Sequence, residues 1–573
     1  MSNPEIRLRF APSPTGPLHI GGVRTALYNY LLAKKLGGTF ILRIEDTDQK
    51  RYVAGAEGYI AEALEWAGLP YDEGPGREGD CGPYRQSERK HIYGAYARQL
   101  VEREWAYMAF DTEDDLERMR ERLRSAGKAA PKYDMFVREY MNNSLTLPAD
   151  EVEARIGKGE PYVIRLKVPR NEEIRFYDEI RGWVSVKSEE LDDKVLYKSD
   201  GMPTYHLANI VDDHLMRISH VVRGEEWLPS APTHVLLYRA FGWQAPKFAH
   251  LPLILKPDPA SYLTKSTKSK FSAQFAQEFA HKYEVAQGDV LPLFDALLSN
   301  PKDLINQLKA NEKDSKLKAE AKAYLKKALY GKLSKRDGDR LGFPVFPLSW
   351  EQEGITGYRE SGYLPGAFLN ILAMLGWNPG TTQEIFGLPE LIEAFSLERV
   401  GKSGAKFDPD KARWFNQQFL RASEPKGFLP IFKAEADRAG YEVCDEYLLQ
   451  VIPLVMEKAT FSHELWPMAD YFFREPTDYD AHVVEKRWDQ GAEGFFQTLA
   501  GYLEKLDGFT AEAAEQAYHL TANAMGIDPG RYTQLFRVMV TGVGAGPALF
   551  SIVEVLGAAE VVKRLKDGVE RLG

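Results

Sequence analysis

Two short stretches of the chain carry residue types suited to phosphate chemistry. The first is Phe10-Ala11-Pro12-Ser13-Pro14-Thr15-Gly16-Pro17-Leu18-His19-Ile20-Gly21-Gly22. The run Ile6 to Phe10 predicts a strand before it. Apolar spacing through Ala26, Leu27, Tyr30, Leu31 and Leu32 predicts a helix after it. A strand, a glycine-bearing turn and a helix N-terminus make an anion site, because glycines admit a ligand to the backbone and the free N–H groups of the first turn face it. His19 adds a side-chain donor, so His19 and the N–H groups of Gly21 and Gly22 form the expected cradle. The second stretch is Gly331 to Asp339, with Lys332 and Lys335 around Ser334. Phosphoryl and nucleotidyl transfer need mobile cations on the expanding phosphate, and lysine ammonium groups supply them. Taken singly, the first stretch is equally an ordinary strand–loop–helix turn, and the second a solvated charge run.

The elements that must position these residues follow from pattern. Residues 1–105 and 199–258 alternate strands and helices, which predicts an α/β fold with a Rossmann-type core split by a domain at 106–198. Thr39 to Ile44 reads as a buried strand and Ala54 to Gly68 as a helix closed by its glycine. The apolar runs Ile218–Val222 and His234–Tyr238 suit a parallel sheet covered on both faces. The inserted part holds a charged helix, 112–127, and a strand, 162–168. Residues 259–330 are lysine-rich without arginine, and Lys313 to Leu329 is a strong helix former. The chain becomes helical after Leu341, and 422–573 shows helical periodicity with no strand alternation.

Composition narrows the function classes. At 573 residues several domains are expected. No apolar run reaches the ~20 residues that span a bilayer, and Met1 to Glu5 carry no basic-then-apolar leader pattern. Membrane partners are therefore not expected. Cys81 and Cys444 offer no disulfide framework and no CxxC zinc pattern, which suits a reducing cytoplasm. The net charge of -10 argues against a general polyanion binder, although a local basic patch can still neutralise phosphates.

Together the two phosphate stretches resemble the paired HIGH and KMSKS motifs of class I aminoacyl-tRNA synthetases. Gly22 replaces the second histidine, and Leu333 and Arg336 replace methionine and serine. Arg43–Asp48, Gly82–Ser87, Tyr205–His214 and Arg223–Trp227 are similar in order and spacing to blocks of the glutamyl-tRNA synthetases. The resemblance implies a Rossmann-type catalytic domain (1–105 and 199–258), an inserted α+β domain binding the tRNA acceptor end (106–198), a helical stem-contact region with the lysine loop (331–421) and an all-helical anticodon-binding domain (422–573). It implies ATP, L-glutamate and tRNA(Glu) as substrates and partners, with Mg2+ arriving on ATP. No protein metal site and no zinc are expected, because the cysteine-rich site of some members is missing. The family leans to monomers.

Residue by residue, the resemblance assigns glutamate binding to Arg9, Ala11, Ser13, Glu45, Tyr205, Asn209 and Arg223. A fixed guanidinium suits a substrate carboxylate through its planar two-point contact. ATP binding falls to His19, Gly21, Gly22 and Lys335, and catalysis to His19 and Lys335 with Lys332 secondary. Thr47, Asp48 and Arg51 are expected near the terminal adenosine of the tRNA, and Lys458 near the anticodon. Lys458 lies in a stretch, Glu457–Thr460, where an arginine in the family favours tRNA(Glu) over tRNA(Gln), so a discriminating enzyme is expected. A non-discriminating enzyme and a non-catalytic RNA-binding paralogue are the alternatives. Asp212-Asp213-His214 looks metal-like, but it follows Asn209 and reads as structural support. Lys265-Ser266-Thr267-Lys268-Ser269 mimics the lysine-serine motif, yet only Lys332–Arg336 is followed by the family's downstream pattern. Family members usually pass almost directly from a sequence like Leu253–Asp258 into that loop. The segment 259–330 is thus expected to protrude, its lysines either drawing phosphate diffusely or merely solvated.

Overall fold

Arg7–Phe10 (β1) and Thr39–Leu42 (β2) are short strands with nearly every side chain buried, as in a sheet covered on both faces. They pair in parallel with Arg9 opposite Ile41. The remaining strands are Ala106–Ala109 (β3), Val163–Leu166 (β4), Glu173–Asp178 (β5), Gly182–Lys187 (β6), Val195–Tyr197 (β7), His220–Gly224 (β8), Lys247–Leu251 (β9), Ile254–Leu255 (β10) and Ala405–Lys406 (β11). The main sheet has the order β2-β1-β8-β9-β5-β6 and is parallel except at β6. The structure, a computed structural model, describes residues 5–309 and 315–573. The chain divides into two units. One runs to Tyr358 and adds Phe368–Pro409, and the other takes Arg359–Ala367 and Asp410–Gly573.

Within the first unit the helix Ile20–Lys35 follows β1, capped by His19. The helix Tyr205–Leu215 precedes β8, and its residues 205, 209 and 213 recur every fourth position, hence on one face. Both helices direct side chains toward the carboxyl ends of β1 and β8, where parallel α/β sheets bind ligands.

Three expectations change. The run His234–Tyr238 is not a strand but part of the helix Ala231–Phe241. Five apolar residues fit either element. Pro232 near its start and Gly242 at its end, with φ +71°, bracket a helix there. Second, the segment 106–198 is not wholly separate from the core. Its β3, β4 and β7 form their own antiparallel sheet, but its β5–β6 hairpin extends the main sheet through β9. Third, the part after Leu341 is not purely helical, since β11 pairs in parallel with β10.

The segment 259–330 is helical, with Lys268–Tyr283, Gln287–Leu297 and Lys316–Leu329 as its longest helices. Lys313, the expected start of the last one, lies outside the described residues. In the second unit no strand occurs among the described residues. Its helices enclose two apolar clusters, one around Phe432, Val451 and Val455, the other around Phe495, Phe496 and Phe536.

Candidate active site

A cavity of about 410 Å³ opens at the carboxyl ends of β1 and β8. Arg9, Ala11 and Ser13 line it from β1 and the following loop, and His19, Gly21 and Gly22 from the start of the next helix. Glu45, Tyr205, Asn209 and Arg223 close one side, and Lys335 reaches in from the lysine loop. Arg51 also lines the cavity; its Nε donates to Asp48 at 2.6 Å. Lys332, Thr47 and Asp48 do not line it. Lys458 lies in the second unit, exposed after the helix Asp445–Met456.

The two arginines are held differently. Arg9 gives Nε and Nη2 to the two oxygens of Asp213 at 2.9 and 3.2 Å. Its Nη1 makes no hydrogen bond among the described residues. Asp213 also accepts Arg43 Nη1 at 2.7 Å, and Arg43 Nη2 donates to Glu45 Oε1 at 2.9 Å. Burial opposes the charged Asp213 carboxylate, but the two guanidiniums outweigh it and hold its pKa below the usual range. Glu45 Oε1 further accepts Asn209 Nδ2 at 2.9 Å, while Oε2 has no partner among the described residues. One oxygen is fixed and the other remains for a ligand.

Arg223 is anchored from the sheet. Its Nε donates to His250 Nε2 at 3.0 Å, and its Nη1 to the Tyr205 hydroxyl at 2.9 Å. His250 stands opposite Arg223 in the β8–β9 register, and its Nδ1 meets Asp178 at 2.6 Å. Accepting from Arg223 leaves the His250 proton on Nδ1, facing the carboxylate. Tyr205 packs on Trp227 at 4.6 Å, and burial pushes its hydroxyl up to about 12. No role was assigned from sequence to Arg43, Asp178 or His250. Arg43 was visible two residues before Glu45, just past β2, but Asp178 and His250 meet only through sheet order.

The phosphate loop departs from its expected form. Gly21 N–H donates to His19 Nδ1 at 3.1 Å and Gly22 N–H to the His19 carbonyl at 2.8 Å, so neither faces the cavity as a free donor. Ile20 N–H is likewise used by the Val345 carbonyl. A histidine cap competes for the donors that a bare helix start leaves open. The donor left over is on His19 itself: with Nδ1 accepting, the proton sits on Nε2, which is buried beside the Ser334 backbone, short of a well-formed hydrogen bond. Gly22 has a packing reason, since a Cβ there would stand 2.5 Å from Leu18 Cδ1. Gly16, at φ +127°, lets the loop turn beneath Lys335. Lys335 Nζ rests on the Pro17 carbonyl at 2.8 Å, and burial lowers its pKa. Lys332 is instead paired with Glu226 at 2.9 Å.

The metal-like carboxylates are occupied. Asp212 accepts Arg89, Gln86 and Tyr93 at 2.7–2.8 Å, and His214 stacks on Trp243. Among the described residues no group of three or more histidine, cysteine, aspartate or glutamate side chains is arranged to hold a metal ion. Likewise, no helix there is long and apolar enough to cross a membrane. The sequence Lys265–Ser269 forms a turn into the helix Lys268–Tyr283 and does not line the cavity.

Comparison with known proteins gives consistent matches. Residues 5–281 match the class I tRNA synthetase (E and Q) catalytic domain, and 426–569 an anticodon-binding domain. A glutamate–tRNA ligase of Amoebophilus asiaticus is 47% identical over 98% of each chain. That of Cytophaga hutchinsonii is 47% identical over 99% of this chain and 97% of its own. The crystal structure of a glutamate tRNA ligase from Elizabethkingia meningosepticum in complex with its amino acid superposes with a TM-score of 0.80, at 42% identity over 99% of this chain and 100% of that one. These matches run through the segment 259–330, which is therefore shared with those relatives and not peculiar to this chain.

The His19 ring should be neutral across the working range. Burial, then the charges of Lys335 and Lys332, lowers its pKa to about 4. An unfolded chain protonates this histidine near 6.5, so the His19 contribution to stability should fall as pH drops from about 6.5 to about 4 and level off below. Histidine NMR should show an Nε2-protonated ring with no titration between pH 5.5 and 8. A His19 midpoint near 6.5 would contradict this.

Proposed function

We infer the roles of these residues from one premise: the chain belongs to the glutamate–tRNA ligases, within the class I tRNA synthetases. It is an enzyme that joins glutamate to tRNA with ATP as substrate. The observation that carries the reading of its site is that two oriented guanidiniums, one half-free carboxylate, a neutral histidine donor and the ammonium of Lys335 share one cavity.

In this reading Arg9 Nη1 and the Arg223–Tyr205 pair take the glutamate side-chain carboxylate, and Ser13 and Ala11 shape the pocket beside them. Glu45 Oε2 takes the substrate ammonium, with Asn209 steadying Glu45. The glutamate α-carboxylate attacks the α-phosphorus of ATP, diphosphate leaves, and the mixed anhydride remains. His19 Nε2 donates to a phosphate oxygen, and Lys335 moves from the Pro17 carbonyl to the phosphates, where positive charge counts most as the phosphorus expands. Gly21 and Gly22 keep the approach open. Lys332 is a secondary cation, available once it leaves Glu226. Mg2+ travels with ATP in this reading, since among the described residues only Glu45 and Glu226 bring carboxylates to the cavity. A terminal ribose hydroxyl of the tRNA, the 2′-OH in this class, then attacks the anhydride carbonyl carbon, the ester forms, and AMP leaves carrying the hydroxyl proton on its phosphate. Arg51, which lines the cavity, with Thr47 and Asp48 near it in sequence, meets that end in this reading.

We read the partner as tRNA(Glu), with tRNA(Gln) excluded at the anticodon through Lys458, whose exposure leaves it available. Lysine retains the cation but not the two-point fork of arginine. We read it as acting in the cytoplasm, which two free cysteines suit, and as a monomer, to which the family leans.

Two measurements test this reading. Lys335→Ala should cut ATP–diphosphate exchange with glutamate by roughly 100-fold or more, the scale of losing one transition-state donor. Lys268→Ala should leave it nearly unchanged; the reverse pattern would move the catalytic lysine to the other motif. In aminoacylation of purified tRNAs, tRNA(Glu) should be charged and tRNA(Gln) should not. Comparable rates on both would rule out discrimination.

A further inference from the structure

We propose that the segment 259–330 is a brace that positions Lys335, acting through Glu278, Lys256 and Asp337. The segment closes on its own apolar cluster. Phe275, Phe279 and Phe294 are fully buried, and Tyr324 meets each of them edge-on. A packed cluster makes the helices a stiff support.

That support grips the short helix Asp337–Leu341, which follows the lysine loop directly. Glu278, in the helix Lys268–Tyr283, receives the Tyr324 hydroxyl at 2.6 Å and the Arg340 guanidinium. Arg340 also lies over the Phe275 ring at 5.5 Å. A second tie comes from Lys256, just before the segment. Its Nζ donates to the carbonyls of Lys327 and Ala328 at 3.1 and 2.8 Å, at the C-terminal end of the helix Lys316–Leu329. A lysine there answers both the open carbonyls and the negative helix end. The same ammonium pairs with Asp337 at 3.0 Å, and both groups are buried.

Asp337 passes the constraint on. Its Oδ2 accepts the Ser334 N–H at 2.7 Å and the Ser334 hydroxyl at 2.6 Å. Ser334 is bonded to Lys335, whose ammonium stands at the phosphate loop. The front of the loop is clipped as well: Lys256 N–H donates to the Gly331 carbonyl and Leu333 N–H to the Ile254 carbonyl. The segment's part in the chemistry thus lies in Glu278 and one helix end, not in its surface lysines. Glu278, Lys256 and Asp337 are positioning residues on this account.

The inference rests on the reading of Lys335 as a phosphate cation, and one experiment separates the two. Glu278→Gln keeps the shape and removes the charge. With tRNA(Glu) present, it should lower kcat of ATP–diphosphate exchange about ten-fold and leave the glutamate KM within about two-fold. In a Lys335→Ala background the same substitution should change the residual kcat by less than about two-fold, because the group being positioned is gone. Glu278→Asp, which restores the charge, should recover part of the rate. A near-normal kcat in Glu278→Gln, or an equal loss in both backgrounds, overturns the brace. Full exchange in Lys335→Ala alone sinks the reading of Lys335 and the brace with it.

Discussion

The site depends on one buried carboxylate. Asp213 sits between Arg9 and Arg43 and fixes both, and Arg43 in turn fixes Glu45. A buried charge is costly unless it is paired and its hydrogen-bonding capacity is met. Here the pairing does two jobs. It neutralises Asp213, and it turns two flexible side chains into oriented groups at the mouths of adjacent strands. Removing one partner of such a buried pair costs about 3–5 kcal/mol, because the others are left uncompensated. That cost holds Arg9, Arg43 and Glu45 to one arrangement.

The same economy recurs on the other side of the cavity. Asp178, His250 and Arg223 form a second chain of buried partners, ending at the Tyr205 hydroxyl. Burial lowers the His250 pKa, which keeps the ring neutral and able to accept from Arg223. The two chains enter from opposite ends of the sheet, β1 with β2 and β9 with β5, and converge on one small volume. On the reading proposed above, a site assembled in this way meets the two carboxylates and the ammonium of glutamate with geometry set before the ligand arrives. The lysine loop is the contrasting part. Of its two cations, Lys335 rests on the single Pro17 carbonyl, and Lys332 on exposed Glu226, a pair that costs little to break.

Much of this was legible in the sequence because short motifs carry local structure. The strand–glycine–helix pattern around His19 placed β1 and the helix Ile20–Lys35. The seven residues assigned to glutamate all reach one cavity. What was not legible depends on distance in the chain. The Gly21 and Gly22 N–H groups were expected to be free, but the cap that His19 makes is a matter of rotamer, not of residue type. The run His234–Tyr238 had no periodicity to tell a strand from a helix. The hairpin β5–β6 joined the main sheet although its sequence lies within the inserted segment, and Asp178 reaches His250 only through that joining. The apolar cluster of 259–330 was masked by its lysines, most of which, Lys322 apart, lie on the solvent side, while Phe275, Phe279, Phe294 and Tyr324 face inward.

The most direct measurement is calorimetric binding of L-glutamate to the wild-type chain and to Asp213→Asn, with ATP binding followed in parallel. If Asp213 orients Arg9 and, through Arg43, Glu45, the folded variant should bind glutamate at least about ten-fold more weakly, on the scale of one charge-assisted contact. Its ATP affinity should stay within about two-fold. Unchanged glutamate affinity in a folded Asp213→Asn chain would contradict the account, because the guanidinium and the carboxylate would then hold their places without the residue that ties them together.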